Sequence, residues 1–122
     1  MKIFFYFFFF SILSTSSYSF VNPKVKIENF FINKYEVTIQ EFQDYADKNN
    51  IKTLAEKTGG GYEWGAGWEQ RIGWTYRTPY GAKPKSLLEP AVHINRFEAE
   101  KYCKSINGRL PSFDEWKLAA YK

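Results

Sequence analysis

The sequence predicts an α+β domain of short strands and about three helices, and three observations predict it. Val25 and Ile27 alternate with Lys24, Lys26 and Glu28, the period-two pattern of a strand with one covered face. Thr38 precedes Glu41, Asn95 precedes Glu98, and Ser112 precedes Glu115, each by three positions. In that spacing a short oxygen-bearing side chain and a glutamate satisfy the amides left free at a helix start. Between the first and second of these pairs, residues 58–81 carry glycines at 59, 60, 61, 65, 67, 73 and 81. That density of glycine predicts a long irregular region rather than regular structure.

Taken in order, the strand near Val25 is expected at an edge. Phe30, Phe31 and Ile32, then Tyr35, Glu36 and Val37, predict a second extended stretch around the polar pair Asn33 and Lys34. Glu36, set among aromatics, is expected to accept backbone hydrogen bonds at the junction with the next helix, since a buried carboxylate needs such partners. That helix begins at Thr38, buries Phe42, Tyr45 and Ala46 at helical spacing, and stops at Asn49 and Asn50.

In the glycine-rich region Trp64, Trp68 and Trp74 supply large apolar anchors. Trp74 is expected to staple the region to the core. Trp64 and Trp68, with Tyr62, stay open between a second staple and a platform for a ligand, because Trp and Tyr combine an apolar body with a polar tip. No Gly-Lys-Ser or Gly-Lys-Thr follows the glycines, which argues against a phosphate-binding loop.

Residues 90–94, Pro-Ala-Val-His-Ile, predict a short strand. Ala99, Tyr102, Cys103 and Ile106 then fall on one face of a second long helix, with Asn107-Gly108 ending it and Gly108 expected in the left-handed turn. Trp116, Ala119 and Ala120 are expected to form the buried side of the last helix.

Residues 1–19 predict a signal peptide. Lys2 supplies the positive start, Ile3 to Leu13 an apolar stretch, and Ser14 to Ser19 small residues, with Ser17 and Ser19 placed for cleavage before Phe20. A second cleavage site is offered by Ser14 and Ser16. The apolar stretch is shorter than the roughly 20 residues that span a bilayer. We therefore expect an exported protein, periplasmic or secreted, with no stable membrane anchor, whose residues 20–122 form the domain.

Composition narrows the function classes. The chain is 44% hydrophobic and 25% charged, ordinary for a folded protein, and its 20% aromatic content is concentrated in part in the first nineteen residues. Formal net charge is +4, with basic and acidic residues interspersed, which argues against a nucleic-acid partner. Cys103 is the sole cysteine and excludes an intrachain disulfide; its apolar neighbours predict a buried thiol rather than a nucleophile. His93 is the single histidine, with no second ligand at metal-binding spacing. Neither residue by itself points to a catalytic or metal site, and the expectation for catalytic, cofactor-binding and metal-ligating residues, none, rests also on the family resemblance that follows.

Three stretches together resemble the formylglycine-generating enzyme (sulfatase-modifying factor) family, whose domain is a variant of the C-type lectin fold. They are Tyr35-Glu36-Val37-Thr38 with Phe42; Pro90-Ala91-Val92-His93-Ile94-Asn95 leading into Ala99, Tyr102 and Cys103; and Gly108-Arg109-Leu110-Pro111-Ser112-Phe113-Asp114-Glu115-Trp116 with Ala119-Ala120. Arg96 and Ser105 stand where the family usually carries Trp, and Lys117 where an acidic residue is common.

The resemblance implies the N-terminal part of such a domain, with the later half that carries the chemistry missing. In catalytic members a copper-binding cysteine pair in that later half oxidises a sulfatase cysteine to formylglycine; Cys103 does not match that pair. A complete family domain would imply copper or calcium, and neither is expected here. The expected partner is the missing half of the domain or a protein substrate. The competing expectation is a small exported binding module that uses Tyr62, Trp64 and Trp68 as its ligand surface.

Overall fold

The computed structural model describes residues 21–121. The predicted signal peptide and its cleavage site therefore lie outside the described residues. Strand β1 (Lys24–Ile27) pairs antiparallel with β2 (Phe30–Asn33), placing Val25 opposite Ile32 and Ile27 opposite Phe30. Because side chains alternate across a strand, these four residues share one face, and Ile27 is its buried member. Glu28 turns the chain between the strands at φ 49°. The buried Asn22 fastens this unit to the following segment: its Nδ2 donates to the carbonyls of Tyr35 (3.0 Å) and Glu36 (3.2 Å), and its Oδ1 accepts from the Tyr35 amide (3.2 Å).

Helix α1 (Ile39–Lys48) starts at the predicted cap. The Thr38 amide donates to Glu41 Oε2 at 2.8 Å and the Glu41 amide to Thr38 Oγ1 at 3.2 Å. Ile39, Phe42 and Ala46 point inward. Tyr35–Val37, expected as strand, is not one, and residues 90–94 form only an isolated bridge between Thr38 and Pro90. The two segments do run side by side, with Ala91 donating to the Val37 carbonyl at 2.8 Å and Ile39 to the Glu89 carbonyl at 2.8 Å. The ladder stops there because Pro90 has no amide hydrogen and the chain turns into α1 at once.

A short helix that the sequence reading passed over, α2 (Leu54–Thr58), follows a fourth capping box formed by Thr53 and Glu56. Gly59 closes it at φ 86°. The region expected to be irregular then forms a hairpin, β3 (Gly60–Trp64) and β4 (Trp68–Ile72). The glycines permit this ladder instead of breaking it: a side chain at Gly60 would overlap the Arg71 carbonyl opposite.

Helix α3 (Arg96–Ser105) is capped by Asn95 and Glu98 as predicted, and α4 (Phe113–Ala120) by Ser112 and Glu115. The left-handed residue after α3 is Asn107 (φ 58°), not Gly108. Asparagine tolerates that conformation better than other residues with a side chain. The core gathers Ile39, Phe42 and Ala46 of α1, Tyr102 of α3, and Tyr76. Phe42 meets Tyr76 edge to face at 4.8 Å, and Tyr45 meets Tyr102 at 5.4 Å. The residue that anchors the glycine-rich region in this core is therefore Tyr76, fully buried, rather than any of its tryptophans. Arg77 ties the same segment to the helices, its Nη2 reaching Asp47 (2.5 Å) and its Nε Glu56 (3.2 Å).

Candidate functional site

The β3–β4 ribbon has two unlike faces. Cross-strand register puts Tyr62 opposite Gln70 and Trp64 opposite Trp68, so these side chains, with Ile72, project to one side. Trp64 is 64% and Trp68 70% exposed, and their rings meet edge to face at 5.4 Å and 71°. The loop Gly65–Gly67 brings them together, with Gly65 donating to the Gly67 carbonyl at 3.0 Å. Charged side chains occupy the other side: Arg71 Nε contacts Glu63 at 2.9 Å and Nη2 contacts Glu69 at 3.1 Å. Of the two readings the sequence left open for Trp64 and Trp68, the structure excludes the staple, since neither reaches the core. What remains is an exposed aromatic surface beside a neutral amide.

Trp74 behaves differently. It is half-buried, packs edge to face on Tyr80 at 5.4 Å, and lies 5.7 Å from the His93 ring. His93 Nε2 is 2.9 Å from the Pro79 carbonyl, which can only accept, so Nε2 carries the proton. The imidazole thereby fixes the residue 79 turn against the ribbon. Its backbone stands at φ 58°, which sequence reasoning had no signal to find.

A second open feature is separate from the ribbon. A groove of about 580 Å³ runs between β2 and α4, lined by Phe30, Ile32, Val37, Cys103, Leu110 and Trp116 among others. Trp116 and Ala120, expected to be buried, are exposed, Ala119 is only half-buried, and α4 has no buried residue. The expectation failed because apolar spacing marks the side that can be covered, and the described residues do not cover it. Arg109 holds the start of α4 through a two-bond fork to Glu115, at 2.7 and 2.6 Å. This fork and the Ser112 amide depress the Glu115 carboxyl to a pKa of about 2.

Cys103 is half-buried at the inner wall of this groove, and burial pushes its thiol pKa up, which disfavours the thiolate that metals and electrophiles need. Among the described residues no three His, Cys, Asp or Glu side chains gather where a metal could bind. With Cys103 as its single cysteine, the chain does not supply the paired thiolates of a copper site. Glu36, expected to accept backbone hydrogen bonds, is exposed; its main-chain carbonyl rather than its carboxylate takes the bond from Asn22. No helix among the described residues is long and apolar enough to cross a membrane.

With the capped Arg109–Trp116 turn, the Thr38 helix start and the Asn95 helix start all in place, the family assignment follows. The family model described as "Sulfatase-modifying factor enzyme 1-like domain" matches residues 12–122, and the chain belongs to that family. No curated protein matches it.

Proposed function

We propose that this is an exported protein whose residues 20–122 form the front part of a formylglycine-generating-enzyme-type domain with the C-type-lectin-like fold, inactive as an oxidase by itself. The observation that carries this reading is the open side of α4. The helix is capped at its start by Ser112 and Glu115, yet none of its residues is buried, and Trp116 is exposed where it lines the groove. We read that face as the seat of later polypeptide of the same domain type, which in catalytic members brings the copper-binding cysteine pair. Export is supported by the segment Met1 to Ser19, although the family match begins inside it, at residue 12.

The test is an oxidation assay. The purified chain is given copper, oxygen and a cysteine-containing sulfatase peptide, and aldehyde is trapped with a hydrazide. No aldehyde is expected from this chain, and its formation would overturn the reading. Mass determination of the exported form tests the leader, with a start at Phe20 expected.

A second reading is favoured by the ribbon. Tyr62, Trp64 and Trp68 share one exposed face, which suits a ligand with flat apolar surfaces. Tryptophan fluorescence that responds to a sugar or peptide ligand, and loses the response in Trp64→Ser, would support it; an unchanged response in that variant would exclude the ribbon.

A further inference from the structure

We propose that the half-open cavity between α1, α2 and α3 binds a small amphipathic anion, an apolar body bearing one carboxylate, sulfonate or phosphate-type group. The cavity measures about 520 Å³, within the roughly 300–1,000 Å³ usual for small-molecule sites. Its apolar wall is formed by Phe42 and Tyr45 of α1 and by Ile51 just beyond that helix. Phe42 is almost fully buried and meets Tyr45 edge to face at 5.7 Å, so this wall is part of the packed core. Ile51 is fixed as well, its amide donating to the Ala46 carbonyl at 2.8 Å after Asn50 turns the chain at φ 52°.

Lys52 of the segment after α1, Lys57 of α2 and Lys101 of α3 line the same cavity. None of the three has an ion-pair partner among the described residues, where the paired cations are all arginines. Glu98 is the one acid in the lining, and both its oxygens are engaged by backbone amides: Oε1 by Leu54 at 2.6 Å and Oε2 by Asn95 at 2.9 Å. Three lysines therefore line the cavity beside an aromatic wall, against a single lining carboxylate already committed elsewhere. An inorganic anion would use only the rim, and a neutral ring only the wall; a ligand that joins the two uses both. This site is separate from the ribbon and from the α4 groove and does not rest on the proposed function.

The test uses the full chain and naphthalene-2-sulfonate, followed by amide chemical shifts. One-to-one binding with a Kd of about 1 mM or tighter is expected, with shifts confined to residues near Tyr45, Ile51, Lys52 and Lys101. Uncharged naphthalene-2-methanol and inorganic sulfate should each bind at least about tenfold more weakly, and raising the salt should weaken the sulfonate. The combined variant Lys52→Gln, Lys57→Gln, Lys101→Gln, whose changes are all at exposed positions, should lose affinity about tenfold. Equal binding of the neutral compound, unchanged affinity in that variant, or shifts centred on Trp64 and Trp68 would each overturn the proposal. The salt titration of the unmodified chain decides the matter even if the variant fails to fold: no salt dependence would refute it.

Discussion

The His93 side chain fills the space that a side chain at position 61 would need: a Cβ on Gly61 would overlap Nδ1, Cγ and Cβ of the histidine. Position 61 is thus a glycine because the ribbon must lie directly against the histidine that holds the Pro79 turn. Gly61→Ala should destabilise the chain by about 1–3 kcal/mol, the usual cost of overpacking, measured by denaturant unfolding. The double variant Gly61→Ala, His93→Ala should recover part of that loss; strict additivity would show that the two residues do not compete for one space.

Tyr76 is buried completely, and its hydroxyl makes no well-aligned hydrogen bond among the described residues, the Arg77 guanidinium lying over the ring 4.8 Å from its centre. Because an unsatisfied buried hydroxyl costs about 1–3 kcal/mol, Tyr76→Phe should be neutral or stabilising. Phe42→Ala, which empties the centre of the same cluster, should cost about 3–5 kcal/mol. A large loss in Tyr76→Phe would mean that a bound water or another partner serves the hydroxyl.

Identical caps should not count equally. Thr38→Ala removes a cap from a helix with three buried side chains and should lower global stability by about 1 kcal/mol. Ser112→Ala removes one from a helix with none, and should reduce helical signal while leaving the unfolding midpoint nearly unchanged. Equal shifts in midpoint would show that α4 is part of the cooperative core.

Two pH limits follow. Glu115 falls from an ordinary 4.5 to about 2 when folded, chiefly through Arg109. Its stabilising effect is complete above pH 4.5 and is lost as pH falls to about 2, so α4 should fray in that window, and Arg109→Leu, which leaves the Ser112 amide bond, should move the transition to higher pH and shrink it. Tyr76 and Tyr102 are raised by burial from 10 to about 12. The protonated folded form is therefore favoured, and stability should decline as pH rises from 10 to 12, with tyrosinate absorbance appearing as the core opens.

The helix starts were legible because a capping box is a local device: Thr38, Asn95 and Ser112 each need only a glutamate three residues on. Thr53 and Glu56 carried the same signal and were passed over beside the glycine cluster at 59–61. The hairpin was illegible for a related reason. Glycine is read as a breaker from its backbone freedom, whereas Gly60 and Gly61 are required by what lies opposite them, Arg71 and His93, which one-dimensional spacing does not reveal. Tyr76 was overlooked in favour of three larger tryptophans, since size alone does not say which ring faces the core. The candidate ribbon residues Tyr62, Trp64 and Trp68 were named from the sequence, but their common face depends on the register of a hairpin that was not foreseen. The lysines of the cavity come from two helices and the segment before α2, and have no sequence signature at all.

Hydrogen exchange on the purified chain tests most directly whether α4, which has no buried residue, lies outside the cooperative core. Amides of α1 and α3 should exchange only with global unfolding, while those of α4 should exchange through local opening at much lower cost. Protection of α4 equal to that of α1 would contradict the account.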